Sequence, residues 1–168
     1  KSSYAISYIR RQRFIGKKVL VVKPRIDNRY SQEPVLVSHN KEQLPCMLWD
    51  IKQGLNTSLP CFRESDCIVI EEAQFFAGLK NGILWLLRVC KKDIVLVGLD
   101  ADAYQQKFGE ILDCIPWANH VTKLQALCCV CRDGTPAPFT KRINEENYDE
   151  QICVGGSEIY QAVCLNHL

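Results

Sequence analysis

Four residues near the C-terminus have the types and the spacing of metal ligands. Cys128 and Cys131 form one pair with two residues between them, and Cys164 and His167 form a second pair with the same separation. Tetrahedral zinc binds thiolate sulfur and imidazole nitrogen, and four protein ligands leave no open position on the metal. The sequence therefore predicts a structural zinc site. Cys129 is an alternative ligand, but the two-residue spacing favours Cys128.

The remaining cysteines show no ligand spacing. The chain contains 10 cysteines, an even number that would indicate disulfides in a secreted domain. Several of the others lie inside apolar runs, where a free cysteine behaves as a small hydrophobic residue. We therefore predict a reducing compartment and a cytoplasmic location rather than a disulfide framework. These scattered residues are Cys46, Cys61, Cys67, Cys90 and Cys114.

Two adjacent carboxylates follow an apolar segment in the middle of the chain. The run Cys67 to Ile70 has the composition of a buried strand, and Glu71 and Glu72 come directly after it. A carboxylate in this position organises Mg²⁺ in many phosphoryl-transfer enzymes. Because successive side chains of a strand point in opposite directions, one carboxylate can face a metal while the other faces a substrate hydroxyl. An ordinary charged loop has the same composition and stays open as an alternative.

The first three residues are Lys1, Ser2 and Ser3, and a predicted helix follows at once. In a P-loop, a lysine reaches the phosphates, a hydroxyl binds Mg²⁺ and the helix N-terminus supplies N–H groups. Without preceding glycines this motif is weak, and only its place at the edge of an α/β sheet strengthens it. We expect about 10–20 further residues, including those glycines, to precede Lys1.

The elements that must position these residues alternate between helices and short apolar strands. This alternation predicts an α/β fold with a mainly parallel sheet covered by helices. Ligands of such folds bind beyond the carboxyl ends of the strands, where polar residues lie at 23–29, 71–74 and 100–102. The predicted helices are Ser2–Phe14, Met47–Leu55, Leu79–Cys90 and Phe108–Ile115, and the predicted strands are Lys18–Val22, Cys67–Ile70, Ile94–Leu99 and Val121–Leu127.

Composition and charge argue against several classes of protein. A hydrophobic content of 47% in 168 residues is enough to bury a core. The net charge of +2 gives no basic excess for nucleic acid or a membrane surface. No apolar run approaches the roughly 20 residues of a membrane span. We therefore expect neither nucleic acid nor membrane as a partner.

Several segments, in the same order along the chain, resemble those of the type II thymidine kinase family. The resemblance covers essentially the whole chain. It implies a P-loop kinase core in residues 1–127 and a small zinc-binding lasso domain in residues 128–168 that closes over the nucleoside. Besides the four zinc ligands, the segments are Asp27–Ser31, Ser38–His39, Glu71–Phe76, Leu99–Asp100, Phe108–Gly109, Phe139–Arg142 and Val154–Gly156 with Tyr160.

The resemblance implies transfer of the γ-phosphate of ATP to the 5′-hydroxyl of thymidine and of deoxyuridine, in nucleotide salvage for DNA synthesis. It implies Mg²⁺ with ATP, structural zinc, a homotetramer and feedback inhibition by dTTP. Glu72 is then the general base, with Glu71 as the alternative. The implied ATP and Mg²⁺ residues are Lys1, Ser2, Asp27, Asn28, Arg29, Glu71 and Gln74. The implied nucleoside-binding residues are Phe108, Thr140, Gln151, Ile152, Cys153, Val154, Gly155 and Tyr160.

Three residues depart from the family pattern. Glu71 stands where the family has Asp, Ala103 stands where an aromatic residue is common in the base pocket, and His167 stands where the fourth ligand is usually Cys. Phe75 and Phe76 are either core residues or pocket wall. Two other functions stay open, namely a zinc-ribbon interaction protein without catalysis, and a P-loop ATPase or a kinase of another nucleoside.

Overall fold

The computed structural model describes residues 1–27, 33–37, 42–143, 151 and 155–168. The three α-helices of this part are α1 (Ser2–Phe14), α2 (Pro60–Glu64) and α3 (Leu79–Arg88). The strands are β1 (Val19–Pro24), β2 (Val35–Val37), β3 (Gln43–Pro45), β4 (Met47–Trp49), β5 (Cys67–Ile70), β6 (Asp93–Leu96), β7 (Ala126–Leu127), β8 (Pro136–Ala137), β9 (Phe139–Arg142) and β10 (Tyr160–Val163). Short 3₁₀ helices cover Ile51–Gln53, Ala73–Phe75, Leu112–Trp117 and Leu165–His167.

The central sheet has four parallel strands in the order β4-β1-β5-β6. In β5, Ile68 and Ile70 pack against the core that α2 and α3 share, whereas Cys67 and Val69 pack against α1. This division follows from the alternation of side chains along a strand. The sheet is therefore covered by α1 on one face and by α2 and α3 on the other, which confirms the predicted α/β fold.

Most predicted elements of the central sheet are confirmed, with small differences at their ends. The helix Ser2–Phe14 and the strand Cys67–Ile70 have the predicted bounds. Gly16 adopts φ +82° just after α1, a conformation that favours glycine and ends the helix. The other predicted strands of the sheet shift by one to three residues, because ladder pairing rather than apolar composition sets where a strand ends.

The helix predicted over Met47–Leu55 is wrong. Residues Met47–Trp49 form β4, whose partner is the carboxyl end of β1. Asp50 then accepts a hydrogen bond from the backbone N–H of Lys52, and Gly54 has φ +62°, so only one 3₁₀ turn follows. Pairing with a neighbouring strand here overrides the helical spacing of the apolar residues.

Two later predictions are also wrong. The helix predicted from Phe108 is broken at once by Gly109, which has φ +60°, and a 3₁₀ helix at Leu112–Trp117 replaces it. Of the strand predicted over Val121–Leu127, only the last two residues are extended, and they pair with β8 instead of the central sheet. Val121 is 57% exposed, because no strand of the sheet covers this segment.

The C-terminal part consists of two small antiparallel ladders, β7 with β8 and β9 with β10. Its own small core contains Ala137 and Val163 together with Cys128 and Cys164. Within the described ranges, no helix has the length and the apolar character needed to cross a membrane.

Candidate active site and metal centre

The end of β5 meets the start of α1. Glu71 continues the alternation of Cys67 and Val69, so its side chain lies on the α1 face of the sheet. There Ser2 Oγ donates a hydrogen bond of 2.5 Å to Glu71 Oε1. Ser2 and Glu71 are therefore in contact, although they are 69 positions apart in the chain. The sequence had predicted both of them on the Mg²⁺ side of a nucleotide site.

The other oxygen of Glu71 is well suited to a cation. Oε2 is buried, and among the described residues it has no hydrogen-bond partner. Burial, together with the negative charge of Glu72, raises the pKa of Glu71 to about 7, even though the hydrogen bond from Ser2 lowers it. Mg²⁺ prefers carboxylate and hydroxyl oxygens, so this pair fits a magnesium ion.

Glu72 turns sharply away from the strand. Its backbone has φ +49°, a left-handed conformation that costs a non-glycine residue about 1–3 kcal/mol. The side chain is almost fully buried. Lys1 Nζ lies 3.8 Å from its Oε2, and Gln74 Nε2 donates a hydrogen bond of 2.7 Å to the same oxygen. The two acids thus occupy different surroundings, as alternation predicted.

Gln74 connects Glu72 to the next strand. Its Oε1 accepts a hydrogen bond of 3.1 Å from the backbone N–H of Leu99, just after β6. Both ends of the amide are therefore bound within the protein. That Gln74 binds ATP or Mg²⁺ stays a prediction.

A buried ion pair lies at the carboxyl end of β1. Lys23 Nζ is 3.3 Å from Asp27 Oδ2, and their side chains are 2% and 6% exposed. Burying two charges is costly unless they are paired, so this pair holds Asp27 in a defined position. The sequence predicted Asp27 as an ATP- or Mg²⁺-binding residue. It gave Lys23 no role of its own beyond the polar segment 23–29. A lysine at the end of an apolar strand was the available signal.

The aromatic residues beside the acids occupy distinct places. Phe76 belongs to the core under α3. Phe75 instead packs edge to face on Phe108, with ring centroids 5.3 Å apart. Phe108, a predicted nucleoside contact, is buried at the end of the loop that follows β6.

The four predicted zinc ligands come together in space. The ligand atoms of Cys128, Cys131, Cys164 and His167 all lie within 4.8 Å of one another. Cys131 Sγ is 3.7 Å from Cys164 Sγ and 3.4 Å from His167 Nδ1, and Cys164 Sγ is 3.3 Å from the same nitrogen. Tetrahedral zinc with ordinary bond lengths separates two sulfurs by about 3.8 Å and sulfur from nitrogen by about 3.6 Å. The residues therefore fit zinc.

Backbone groups favour the thiolate form of Cys128. The N–H groups of Cys131 and Cys164 point to its sulfur at 3.5 and 3.4 Å, and they lower the pKa of Cys128 to about 6. Cys129 is exposed and lies outside the cluster, which confirms the choice of Cys128. The cysteines of the described ranges form no disulfide with one another.

A family model described as thymidine kinase matches residues 1–168, the whole chain. The chain belongs to the thymidine kinase family. It is therefore a kinase that phosphorylates thymidine. Membership of this family also implies that the α/β domain with the parallel sheet has the P-loop fold. The zinc-ribbon protein without catalysis is thereby excluded.

The loop after β6 of the kinase contains another contact that sequence reasoning missed. Asp102 is buried in the loop after β6, where its Oδ1 accepts hydrogen bonds from the N–H groups of Tyr104 and Gln106, both at 2.9 Å. Its Oδ2 accepts a hydrogen bond of 2.7 Å from Gln151 Nε2. The Asp102 carboxylate thus stabilises its own loop and also binds Gln151, which the sequence predicts to contact the nucleoside. The polar residues at 100–102 were noticed only as a strand end, because no local pattern reveals a partner 49 residues away.

The other predicted nucleoside residues of the kinase lie around β9 and β10. Thr140 pairs with Ala162 across this ladder, and Tyr160 begins β10. The N–H of Tyr160 donates to the carbonyl of Gly156, and a side chain at Gly155 would collide with Ile159. The remaining predictions fall outside the described residues: Asn28, Arg29, Ile152, Cys153 and Val154.

Proposed function

We propose that this kinase transfers the γ-phosphoryl group of ATP to the 5′-hydroxyl of thymidine and of deoxyuridine. The observation that carries the proposal is the meeting of Ser2 and Glu71 beside the buried Glu72. A hydroxyl at a helix N-terminus, an unpartnered carboxylate oxygen and a second carboxylate suit a phosphate–metal site next to a hydroxyl acceptor.

The phosphate side of the proposed site contains Lys1, Ser2, Asp27 and Glu71. Lys1 neutralises phosphate charge, while Ser2 and Glu71 hold Mg²⁺, which neutralises charge on the transferred group. Asp27, kept in place by Lys23, contributes a further carboxylate. Asn28 and Arg29 complete this set by family resemblance.

The acceptor side depends on Glu72. The attacking 5′-hydroxyl must lose its proton, and a carboxylate within hydrogen-bonding distance orients it and accepts that proton. Glu72 suits this role better than Glu71, because Glu71 is bound to Ser2 on the phosphate side of the site.

The base side consists of Phe108 and Tyr160, which stack on the pyrimidine, with Thr140 and the segment from Gln151 to Gly155 around it. Main-chain groups of that segment read the pyrimidine edge. Zinc stabilises the part that carries Tyr160, since Cys164 directly follows β10. A domain boundary near residue 127, where the sequence changes to short segments rich in Gly and Pro, is part of the proposal. A homotetramer, feedback by dTTP and a cytoplasmic location complete it by family resemblance.

Phosphate transfer from radiolabelled ATP to a panel of nucleosides tests the proposal on the full-length protein. We expect labelled monophosphate from thymidine and deoxyuridine, dependent on Mg²⁺, and none from purine nucleosides. Release of free phosphate without an acceptor would indicate an ATPase. Preference for another nucleoside would contradict the assignment of the base pocket.

A further inference from the structure

Gln74 has a side chain whose orientation the protein determines completely. Its Oε1 accepts from the backbone N–H of Leu99, a group that can only donate. The Nε2 group must therefore face the opposite way, where it donates to Glu72 Oε2 at 2.7 Å. Gln74 is only 3% exposed, so water does not compete for either hydrogen bond.

Two glycines leave the space that Gln74 occupies. A Cβ on Gly98 would lie 2.5 Å from Gln74 Oε1 and 2.8 Å from the side chain of Ile111. A Cβ on Gly109 would collide with the backbone carbonyl of Gln74. Real side-chain atoms do not approach so closely. A residue larger than glycine at position 98 or 109 would therefore collide with Gln74. The surroundings therefore hold this amide from several sides.

From this geometry we infer that Gln74 is a positioning residue, which fixes the Glu72 carboxylate toward the acceptor hydroxyl. Glu72 itself has the left-handed backbone conformation, and contacts from other residues orient its carboxylate. Lys1 and Gln74 both approach Oε2, but Gln74 does so at hydrogen-bonding distance and is anchored at Leu99, in the loop after β6. This inference rests on the proposed role of Glu72 as the base.

A positioning role for Gln74 differs from a role in binding ATP or Mg²⁺. An amide that binds nucleotide presents a polar atom to it, whereas both polar ends of Gln74 are bound within the protein. Loss of Gln74 should consequently lower kcat and leave the KM for ATP nearly unchanged. A misdirected catalytic group typically costs about 10- to 100-fold in rate.

The test compares Gln74→Glu with Gln74→Met in the full-length protein. Gln74→Glu keeps an oxygen that accepts from Leu99, but it directs a second carboxylate oxygen at Glu72 Oε2. Gln74→Met keeps the length of the side chain and loses both hydrogen bonds. We expect kcat to fall about 10- to 100-fold in both variants, with the KM values for ATP and thymidine within about threefold of wild type. Gln53→Glu, at an exposed position after β4, is the control for the change in charge and should behave as wild type.

Gly98→Ala provides a second route that leaves Gln74 itself intact. The added methyl group displaces the amide, so kcat should fall as in Gln74→Met. Normal kcat in Gln74→Met would overturn the inference, because this variant has lost the contact with Glu72 and the anchor at Leu99. A KM for ATP that rises in parallel with the loss of kcat would also overturn it and indicate nucleotide binding. Wild-type protein without thymidine phosphorylation would overturn the proposed function and this inference together, whereas active wild type with active Gln74 variants overturns the inference alone.

Discussion

Ser2 Oγ donates a hydrogen bond of 2.5 Å to Glu71 Oε1, which joins the first turn of α1 to the end of β5. The second oxygen of the same carboxylate is buried and, within the described residues, has no such partner. The pair thus combines one satisfied and one unsatisfied oxygen at the predicted Mg²⁺ position. This arrangement makes the metal-free protein sensitive to pH.

The unfolding free energy of the metal-free protein should fall between acidic and neutral pH because of Glu71. Burial raises its pKa from 4.5 to about 7 in the folded state. Protonated Glu71 therefore contributes stability that is fully present below about pH 4.5 and is lost as the pH rises through about 7. Between about pH 5 and about pH 8 the loss is about 2–3 kcal/mol.

Urea unfolding at these two pH values, without added divalent cations, measures the difference. Glu71→Gln should remove this part of the pH dependence, whereas Glu64→Gln, at an exposed position on α2, should retain it. Identical pH dependence in wild type and Glu71→Gln would show that Glu71 titrates normally.

Glu72→Gln should lower kcat by about 10²–10⁴-fold while thymidine still binds. The variant keeps the size of the side chain and its capacity for hydrogen bonds, but it removes the proton acceptor. Steady-state kinetics and calorimetric binding of thymidine measure the two effects separately, with Glu64→Gln as the control. Should Glu72→Gln stay active while Glu71→Gln is inactive, the two carboxylates have the opposite roles.

Cys131→Ala should abolish zinc binding and loosen the C-terminal part of the chain. Metal binding to sites of this kind contributes on the order of 10 kcal/mol of apparent folding free energy. The neighbouring exposed Cys129 offers a matched control, since Cys129→Ala removes a thiol outside the cluster. Elemental analysis should find about one zinc ion per chain in wild type and in Cys129→Ala. Cys131→Ala should contain no zinc and should unfold at a lower thermal midpoint. Absence of zinc from the wild-type protein would contradict the site.

Tyr160→Ala should raise the KM for thymidine far more than the KM for ATP. Stacking of an aromatic side chain on a base contributes about 1–3 kcal/mol, equivalent to about 5- to 150-fold. Tyr160→Phe keeps the ring and should stay close to wild type. Equal increases in both KM values would show that Tyr160 supports the fold rather than the pocket.

Asp102→Asn should also raise the KM for thymidine. The asparagine can still accept from Tyr104 and Gln106, but its amide group would face the amide group of Gln151, so two donors would meet. Adding Gln151→Glu supplies an acceptor at that point and should restore much of the lost affinity. Failure of this second change to restore affinity, with both proteins folded, would show that the contact between residues 102 and 151 does not position the nucleoside site.

The residues of the zinc site and of the acid pair could be predicted from the sequence because their signals are local. Two short ligand spacings predict the Cys128 cluster without knowledge of the fold. Two adjacent carboxylates after an apolar strand likewise predict that Glu71 and Glu72 point in opposite directions. The α/β class is also a local signal, because helices alternate with short apolar strands along the chain. The strand β5 is apolar at every position because both of its faces are buried.

Other features were decided only by tertiary structure. Met47–Trp49 forms a strand because the end of β1 offers a partner, and Gly109 ends a predicted helix where a side chain would collide with Gln74. The hydrogen bonds between Gln74 and Leu99 and between Asp102 and Gln151 connect residues that no spacing rule relates. A sequence pattern reports the periodic preferences of neighbouring residues, whereas pairing and buried hydrogen bonds depend on which distant segments the folded chain brings together.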